Sequence, residues 1–475
     1  MKLATPQLER ALKKCLPDSI ETRRTRDSVS RKLTMKSILV LISLAVVLLS
    51  ATDTGAAAVV DSAVDVTQPP YNAVGDGSTN DTAAIIKALN TGHTVYLPAT
   101  SACYLVRSDL VMSTKDQIMY GDGRTRSRVC PLATSTTFTH GVITFTSGEV
   151  GPQLRDLGII FTQPSSASSP SQMTHYVPAI YAENTPRFKI EHVRISAAWT
   201  GIDMSGNSGG ALIDDLEISA FNWGIWVDGS QDTVRINNVH SWPFDLTPTQ
   251  TRAFYYSSVT SFYIGRCDDC EIANALTISG TGIQFFAGSG GMAPFAVISN
   301  SGFDTNNGVN MSAGTIQMSS VYFTLIPSAS VQAINMTGGS LNVSNFWALA
   351  GPTSVPMVQV SGSATLNMSN GNIQIGSQNA TFLLSQTNGG VGHIGLMNNY
   401  FNATANVSHS NPLISITGGP GMRVQAFGNQ VSDKGTGSGT FWSIAYDDFH
   451  RIIGNTSIGW ANSFPTSVNG VYQNN

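Results

Sequence analysis

One short pattern recurs through most of the chain: an apolar residue, any residue, and then Asn or a polar substitute. Twelve copies run from Leu154-Arg155-Asp156 to Ile453-Gly454-Asn455, mostly 20 to 31 residues apart. A second pattern lies between them, in which Gly or Ala precedes an apolar residue, as in Gly201-Ile202 and Gly224-Ile225. Short alternating segments at this spacing bury their apolar side chains only when coil stacks on coil. The repeats therefore predict an all-β solenoid, the parallel β-helix.

The polar position of the repeat is predicted to form a stack of tight turns. Asn tolerates the left-handed backbone conformation, and stacked amides hydrogen-bond to one another and to the backbone. Asp156, His192 and Asp215 occupy this position in the early copies. We therefore interpret these three residues as structural, with a catalytic role as the alternative.

The composition fits a folded body with a sizeable core. Of the 475 residues, 41% are apolar and only 12% are charged, which excludes a disordered body. The 45 glycines argue against a compact all-helical protein. After residue 58 the chain carries 16 basic and 25 acidic residues, and this excess of negative charge would repel nucleic acid. We therefore predict no nucleic-acid partner.

The first 58 residues are predicted to be a leader and signal peptide. Basic residues predominate up to Lys36, the apolar run Ile38–Leu49 follows, and Ala56–Ala58 supplies the small residues of a cleavage site. The run is short for a membrane-spanning helix, which needs about 20 residues. These features predict a secreted, periplasmic or extracellular protein with a single domain at residues 59–475. No stable membrane span is expected after cleavage, and an uncleaved anchor is the alternative.

The cysteines agree with an oxidising compartment. Four lie beyond the leader, an even number. Cys103 and Cys130 are 27 residues apart, close to one repeat, so stacking could bring them together. Cys267 and Cys270 favour a turn disulfide or two idle thiols over a metal site, because no second pair of ligands follows. No metal or other cofactor is predicted, although Asp268-Asp269 leaves calcium open.

The entry to the repeat carries a recognisable motif. Ser78–Asp81 offers N-cap oxygens to an amphipathic helix at Thr82–Leu89, and Thr94–Pro98 is predicted as the first strand. The helix is expected to cover the open end of the first coil, within a capping segment at about residues 70–100. The segments Tyr71–Ile85 and Val95–Pro98 together resemble the opening motif of the pectate-lyase-like β-helix superfamily, whose members include rhamnogalacturonase or epimerase-like domains.

The resemblance implies a right-handed parallel β-helix that binds polysaccharide along its flank and usually cleaves it. It does not fix the reaction. The Gly-His-Gly and Asn-Thr-Asp motifs of polygalacturonases are missing from this sequence. A polygalacturonase, with galacturonate as its substrate, is therefore not favoured.

The strands of the second pattern predict an outward row of side chains. Side chains alternate along a strand, so the residue after each inward apolar residue points to solvent. Stacked coils would align seven such residues: Tyr181, Asp203, Trp226, Tyr263, Gln284, Asn310 and Asn335. Aromatic faces stack on sugar rings, and amides bond to sugar hydroxyls. The predicted substrate-binding residues are Tyr181, Trp226, Tyr263, Gln284, Asn310 and, from a loop predicted at Ser241–Tyr256, Trp242.

Three carboxylates on or beside this row are predicted to be catalytic: Glu183, Asp203 and Asp228. Glu183 and Asp228 belong to a neighbouring row, so each is expected to lie about 8 Å from Asp203 between Cα atoms. Inverting glycosidases hold their acid and base about 6.5 to 9.5 Å apart. The alternative is that all three are solvated surface carboxylates.

These features favour a secreted polysaccharide-active enzyme, a glycoside hydrolase that cleaves a pectic or other acidic or neutral polysaccharide. A polysaccharide lyase acting by β-elimination and a non-catalytic carbohydrate-binding adhesin are the alternatives. The predicted partner is the polysaccharide itself. The sequence leaves open whether the protein is a monomer or a homotrimer.

Overall fold

The computed structural model describes residues 63–474, except 133–134, 147, 149, 251–254, 326–331, 351–354, 376–380, 387–391, 404–409, 418–421, 434–438, 446–449, 458–459 and 464–470. Residues 61–475 form one compact unit. The predicted leader lies outside the described residues. Within the described part of the chain, no helix is both long and apolar enough to cross a membrane.

The chain winds into a right-handed parallel β-helix, which confirms the predicted fold class. Each coil has three faces, called here faces A, B and C, and the chain passes from face B to face C and then to face A. Strand pairs between successive coils are parallel throughout the described residues. Two long strands, Lys189–Met204 and Leu212–Val227, each pass through all three faces of one coil.

The strands are, in chain order, β1 Val64–Asp65, β2 Val95–Leu97, β3 Tyr104–Val106, β4 Leu110–Met112, β5 Ile118–Gly121, β6 Arg128–Pro131, β7 Ile143–Phe145, β8 Gln153–Arg155, β9 Gly158–Ile160, β10 Ile180–Tyr181, β11 Lys189–Met204, β12 Leu212–Val227, β13 Ser230–Ser241, β14 Thr260–Ile264, β15 Cys267–Ala273, β16 Leu276–Phe285, β17 Phe295–Ser299, β18 Gly302–Met311, β19 Thr315–Ser319, β20 Tyr322–Leu325, β21 Gln332–Met336, β22 Ser340–Ser344, β23 Trp347–Ala350, β24 Val358–Ser361, β25 Thr365–Ser369, β26 Asn372–Ile375, β27 Leu383–Gln386, β28 His393–Met397, β29 Tyr400–Ala403, β30 Ile414–Ile416, β31 Arg423–Phe427, β32 Gln430–Asp433, β33 Gly439–Ile444, β34 Arg451–Ser457, β35 Trp460–Ser463 and β36 Val471–Asn474. The helices are α1 Thr82–Leu89, α2 Pro248–Gln250 and α3 Tyr256–Ser258, with single 3₁₀ turns at Pro170–Gln172 and Ser289–Gly291.

Face A carries the row predicted above. It contains β4, β7, β10, the C-terminal parts of β11, β12, β16 and β18, and then β14, β21, β24, β27, β30, β33 and β35. Face B begins with β1, β2, β5 and β8, and face C begins with β3, β6 and β9.

Inward side chains from the three faces form one continuous core. On face A, Ile180, Ile202, Ile225 and Phe262 stack in register and are fully buried. Burial of each such side chain contributes about 1.5–3 kcal/mol. Because every coil adds one inward residue to the column, the core needs only the short apolar pattern seen in the sequence.

The corner between faces B and C confirms the predicted stack of left-handed turns. Asn238, Asn274 and Asn300 occupy it in successive coils, with φ angles of 51°, 55° and 50°. Asp156 and His192 adopt the same conformation in earlier coils, with φ angles of 57° and 53°. The carboxamide of Asn238 donates a hydrogen bond to Asp215 Oδ1 at 3.0 Å. This vertical bonding agrees with a structural role for the column.

The last two copies of the repeat depart from the prediction by one residue. The left-handed corner is formed by Gly428 and Gly454, with φ angles of 64° and 65°. Asn429 and Asn455 follow the corner and turn inward, where they continue a buried stack that begins at Asn399. Glycine adopts positive φ at lower cost than Asn does, so these asparagines are free to enter the core.

The buried stack, called here the asparagine ladder, satisfies its amides completely. The Nδ2 of Asn399 donates to Asn429 Oδ1 at 3.0 Å, and the Nδ2 of Asn429 donates to Asn455 Oδ1 at 2.8 Å. Each Nδ2 also donates to a backbone carbonyl of the preceding coil. A polar stack of this kind is tolerated in a core only when every member is bonded.

The N-terminal entry matches the sequence in its helix and differs in its first strand. Helix α1 spans Thr82–Leu89 as predicted and packs against β3 and β4. The Asp81 carboxylate does not cap it, because Asp81 accepts hydrogen bonds from the backbone of Val74 at 2.7 Å and Gly75 at 3.0 Å. The first strand is β1, upstream of the helix, because Val64–Asp65 pairs with β2.

Both cysteine pairs of the body form disulfides. The Cα atoms are 5.9 Å apart in Cys103–Cys130, which joins neighbouring coils of face C, and 5.8 Å apart in Cys267–Cys270. The turn disulfide is therefore the correct alternative at Cys267 and Cys270. Among the described residues, no group of three or more His, Cys, Asp or Glu side chains could hold a metal ion.

Replacement of Asn429 by Ala is expected to lower the free energy of unfolding by about 2–4 kcal/mol, because it removes the acceptor of the buried Asn399 backbone N–H and the side-chain bonds to Asn399 and Asn455. A matched control is Asn342→Ala, which removes a half-buried amide that bonds to Asn367 on face B. We expect this control to cost less than about 1 kcal/mol. Thermal and urea unfolding measure both changes, and equal losses would contradict the special role of the ladder.

Candidate functional site

Face A brings the predicted outward row together. Backbone pairing sets Tyr181 beside Asp203 and Asp203 beside Trp226 in successive coils. The column then continues through Tyr263, Gln284, Asn310 and Asn335. On the N-terminal side of Tyr181 it begins with Val111 and Thr144. The structure thus confirms the register of the predicted row, but Asp203 is buried where the alternation predicted a side chain that points to solvent.

Asp203 is buried, with only 8% of its surface exposed. The backbone N–H of Ser205 donates a hydrogen bond to its Oδ1 at 3.0 Å. Burial raises the pKa of Asp203, and the negative charge of Glu183 adds to that rise while the hydrogen bonds from Ser205 oppose it. A carboxyl group with a raised pKa keeps its proton to a higher pH, which suits a general acid.

Glu183 lies beside Asp203 and is held by Tyr181. The Tyr181 hydroxyl donates a hydrogen bond to Glu183 Oε2. Burial, together with this bond and the carboxylate charge, raises the pKa of Tyr181. The ring of His140 lies 5.1 Å from that of Tyr181 between centroids. Two carboxyl groups in different environments therefore occupy neighbouring coils, which is the arrangement that acid–base chemistry needs.

A cleft of about 400 Å³ opens next to these residues, on the N-terminal side of Asp203. It is lined by Asp109, Val111, Thr139, His140, Thr144, Phe145, Thr146, Tyr181 and Glu183. Burial alone would raise the pKa of Asp109, but the hydrogen bonds from Thr139, His140 and Thr144 lower it. The volume is typical of a site for a small ligand. Sequence analysis did not identify the residues from β4 to β7 as part of the site, because they precede the first recognisable copy of the repeat.

Four aromatic rings continue from Asp203 toward the later coils. Trp223 stacks on Tyr263 with a centroid distance of 4.6 Å and an interplanar angle of 4°. Trp226 lies 4.7 Å from Trp223, and Phe286 stacks on Tyr263 at 4.3 Å. We call these four residues the aromatic ladder. All four are partly exposed, and although the stacked faces cover one another, the exposed parts of the rings suit apolar contact with sugars.

Strict alternation of side chains predicts the wrong orientation for Trp223. Trp223 and Trp226 are three residues apart, so alternation would point Trp223 inward when Trp226 points outward. The alternation breaks at the corner between faces C and A. A Cβ on Gly224 would lie 2.5 Å from the Ser261 carbonyl oxygen, and one on Gly201 would lie 2.4 Å from that of Gly224. Glycine permits this close approach. The recurring Gly before the inward Ile was the signal that could have revealed the break.

Amides extend the row beyond the ladder. Gln284, Asn310 and Asn335 line a shallow cavity of about 220 Å³. The Oδ1 of Asn310 is buried and has no hydrogen-bond partner within the described chain. A buried acceptor without a partner is costly unless a ligand or water satisfies it. The three amide side chains that line the cavity can bond to hydroxyl groups of a ligand.

Asp228 occupies the predicted neighbouring row but is engaged in structural bonds. Its Oδ1 accepts hydrogen bonds from the backbone N–H groups of Gly229 at 2.8 Å, Arg266 at 2.7 Å and Ser289 at 2.8 Å. Its Oδ2 accepts from the Ser289 hydroxyl at 3.0 Å. These bonds tie three successive turns between faces A and B. They favour a positioning role for Asp228 over the predicted catalytic one.

Trp242 lies apart from the aromatic ladder. Its backbone continues β13 at the end of face C, and its ring contacts His240 and Phe244 at centroid distances of 5.3 Å and 6.5 Å. The loop that carries it meets the connection between β9 and β10, since Gln250 Nε2 donates to the Pro164 carbonyl at 2.8 Å. Both connections therefore stand at the corner between faces C and A, where they border one edge of face A.

Comparison with known proteins agrees with this architecture. Residues 65–277 match the family model described as rhamnogalacturonase A/epimerase, pectate lyase-like. No curated protein matches the sequence at a significant level. The match covers less than half of the chain, and it agrees with the parallel β-helix that the coils form.

Two solved structures share the fold at low identity. The pre-mature gene product 12 of bacteriophage phi29 is 13% identical, with 90% of this chain and 68% of that chain covered and a TM-score of 0.52. The A-module of the mannuronan C-5 epimerase AlgE6 from Azotobacter vinelandii is 15% identical, with 85% and 100% covered and a TM-score of 0.50. The fold is thus one that an enzyme acting on a polysaccharide also has.

The buried carboxyl group predicts an unusual pH dependence of stability. Because the pKa of Asp203 in the folded protein is raised above the ordinary aspartate value of 3.8, the folded state binds more protons, and stability falls as the pH rises through and above that value. Asp203→Asn is therefore expected to melt at a higher temperature than the wild type at pH 7, with the difference vanishing below pH 3.8. Melting curves across this range test the prediction, and a variant less stable at pH 7 would contradict it.

Proposed function

We propose that the protein binds a polysaccharide along face A and hydrolyses a glycosidic bond at Asp203 and Glu183. The observation that carries the proposal is the pair itself: a buried carboxyl group with a raised pKa stands one coil from a carboxylate that accepts a hydrogen bond from Tyr181. In this proposal Asp203 donates a proton to the leaving oxygen and Glu183 activates water. Asp228 is left outside the reacting pair, because its oxygens hold backbone turns.

The surroundings of the pair support a sugar substrate. The cleft of about 400 Å³ lies on one side, and the aromatic ladder lies on the other. A concave site with aromatic walls and a few convergent polar groups is typical of carbohydrate and other small-ligand sites. The low resemblance to a mannuronan-modifying enzyme supports the choice of a polysaccharide only at the level of fold.

A polysaccharide lyase is the second candidate, since Tyr181 and the neighbouring His140 ring could together serve as a base. β-Elimination also requires that the carboxylate of a uronate be neutralised. The described strands of face A from β4 to β24 contain neither Lys nor Arg. Hydrolysis therefore remains the preferred reaction.

Purified Asp203→Asn and Glu183→Gln are each expected to lose at least about a hundredfold in rate, because each removes a proton-transfer group. Asp214→Asn is the matched control, since Asp214 is a half-buried carboxylate on face B that bonds to Asn237. A hydrolase releases reducing ends without ultraviolet absorbance, a lyase releases absorbing unsaturated ends, and an adhesin releases neither. Near-normal rates in both site variants would refute the assignment.

We further propose that the protein is exported across a membrane and acts on its outer side. The predicted leader supports this location, and so do the two disulfides, which persist in oxidising compartments. Mature protein recovered from its native host is expected to begin near Val59, as N-terminal sequencing would show. A mature chain that still begins at Met1 or Met35 would contradict the export proposal.

A further inference from the structure

Face A differs from the rest of the molecule in its charge. Its central strands are, in order, β4, β7, β10, the ends of β11 and β12, β14, the ends of β16 and β18, β21 and β24, and none of these described segments contains Lys or Arg. Within these strands the one acidic residue of the segments up to Val227 is Asp203, whereas Asp109, Glu183 and Asp228 lie in the adjoining turns, as do the cations Arg107, Arg187 and Arg266. A ligand that lies along the strands of face A therefore meets a carboxyl group, aromatic rings and amides, and the nearest cations stand in the turns at its edges.

Cations do gather elsewhere, which makes their absence from the described strands of face A informative. On face C, Arg124 pairs with Asp215 at 3.2 Å and with Glu217 at 3.0 Å. Arg194 pairs with Glu217 at 3.4 Å and with Asp245 at 2.7 Å. The fold thus accommodates arginines in outward positions of a neighbouring face.

This charge distribution selects among glycans. A uronate or sulfated polymer brings a negative charge on most of its sugars, and such charges gain no partner on these strands while they repel the Glu183 carboxylate at short range. Neutral sugars carry no such penalty, because their hydroxyl groups bond to amides and their apolar faces stack on aromatic rings.

The binding groups are also distributed unevenly about the reacting pair. From Asp203 the row runs through Trp226, Tyr263, Gln284, Asn310 and Asn335, five coil steps of about 4.8 Å each. On the other side the row runs through Tyr181 and Thr144 and ends at Val111. Val111 belongs to β4, the strand that packs against helix α1. The longer platform therefore lies on the C-terminal side of Asp203.

We propose that face A takes a neutral glycan chain lengthwise, with most of its contacts on the aromatic ladder and the amides from Gln284 to Asn335. This inference rests on the proposed function, of which it names the substrate class. The amide side chains that line the cavity of about 220 Å³ bond to sugar hydroxyls, and the ladder contacts the sugars nearest to Asp203. The glycan is recognised by shape and hydroxyl groups and not by charge.

Binding by the inactive Asp203→Asn protein tests the inference. The probes are neutral oligosaccharides of glucan, mannan, xylan and galactan, compared with polygalacturonate and alginate fragments of equal length, by affinity electrophoresis and tryptophan fluorescence. We expect the best neutral probe to bind at least tenfold more tightly than either uronate. Adding salt should not weaken the residual binding of uronates, since screening reduces repulsion.

Two further variants locate the platform. In the Asp203→Asn background, Trp226→Ala and Gln284→Ala are each expected to weaken the neutral probe several-fold, and the second variant serves if the first does not fold. Trp347→Ala is the matched control, because Trp347 stands on face C beside Tyr322. An equal loss in this control would overturn the placement of the glycan on face A.

The outcomes separate this inference from the proposed function. Tighter binding of a uronate, weakened by salt, would overturn the neutral class even if the wild type hydrolyses that polymer. Failure of every neutral probe to bind would overturn it as well. Neutral binding without any cleavage by the wild type would support the inference and refute hydrolysis.

Discussion

The vertical pairing of coil on coil is the constraint on which the rest of the structure depends. Parallel strands about 4.8 Å apart convert a distance of 20 to 40 residues in sequence into direct contact. Asp203 and Trp226 become neighbours in this way, although a full coil separates them. The left-handed corner at Asn238, Asn274 and Asn300 returns each coil to the same place and so keeps the column straight.

The apolar pattern and the Asn column were sufficient to predict the fold and the outward row, because both depend only on local alternation and on the length of the repeat. The other features of the site and core depend on contacts between residues far apart in the sequence, which alternation and repeat length do not predict. Trp223 turns outward because a glycine corner breaks the alternation. Asp228 accepts a hydrogen bond from the backbone N–H of Ser289, which lies 61 residues away in a turn that has no recognisable sequence pattern. The side chain of Asn429 lies in the core because Gly428 occupies the left-handed corner position in that coil.

The site combines two opposite electrostatic environments within a short distance. Burial raises the pKa of Asp203, whereas Asp109 is equally buried and donated hydrogen bonds lower its pKa. Burial alone thus does not decide the state of a carboxyl group; the number of donors aimed at it does. The rigid column fixes those donors, since each belongs to a strand or turn locked by the coils on either side.

The uneven placement of the platform about Asp203 has an evolutionary consequence. Each coil between Gln284 and Asn335 is a nearly interchangeable unit of the solenoid. Gain or loss of one such unit would move the far end of the platform by about 4.8 Å and leave the reacting carboxyl groups untouched. Duplication within the gene could therefore retune the chain length that the protein prefers while its chemistry stays the same.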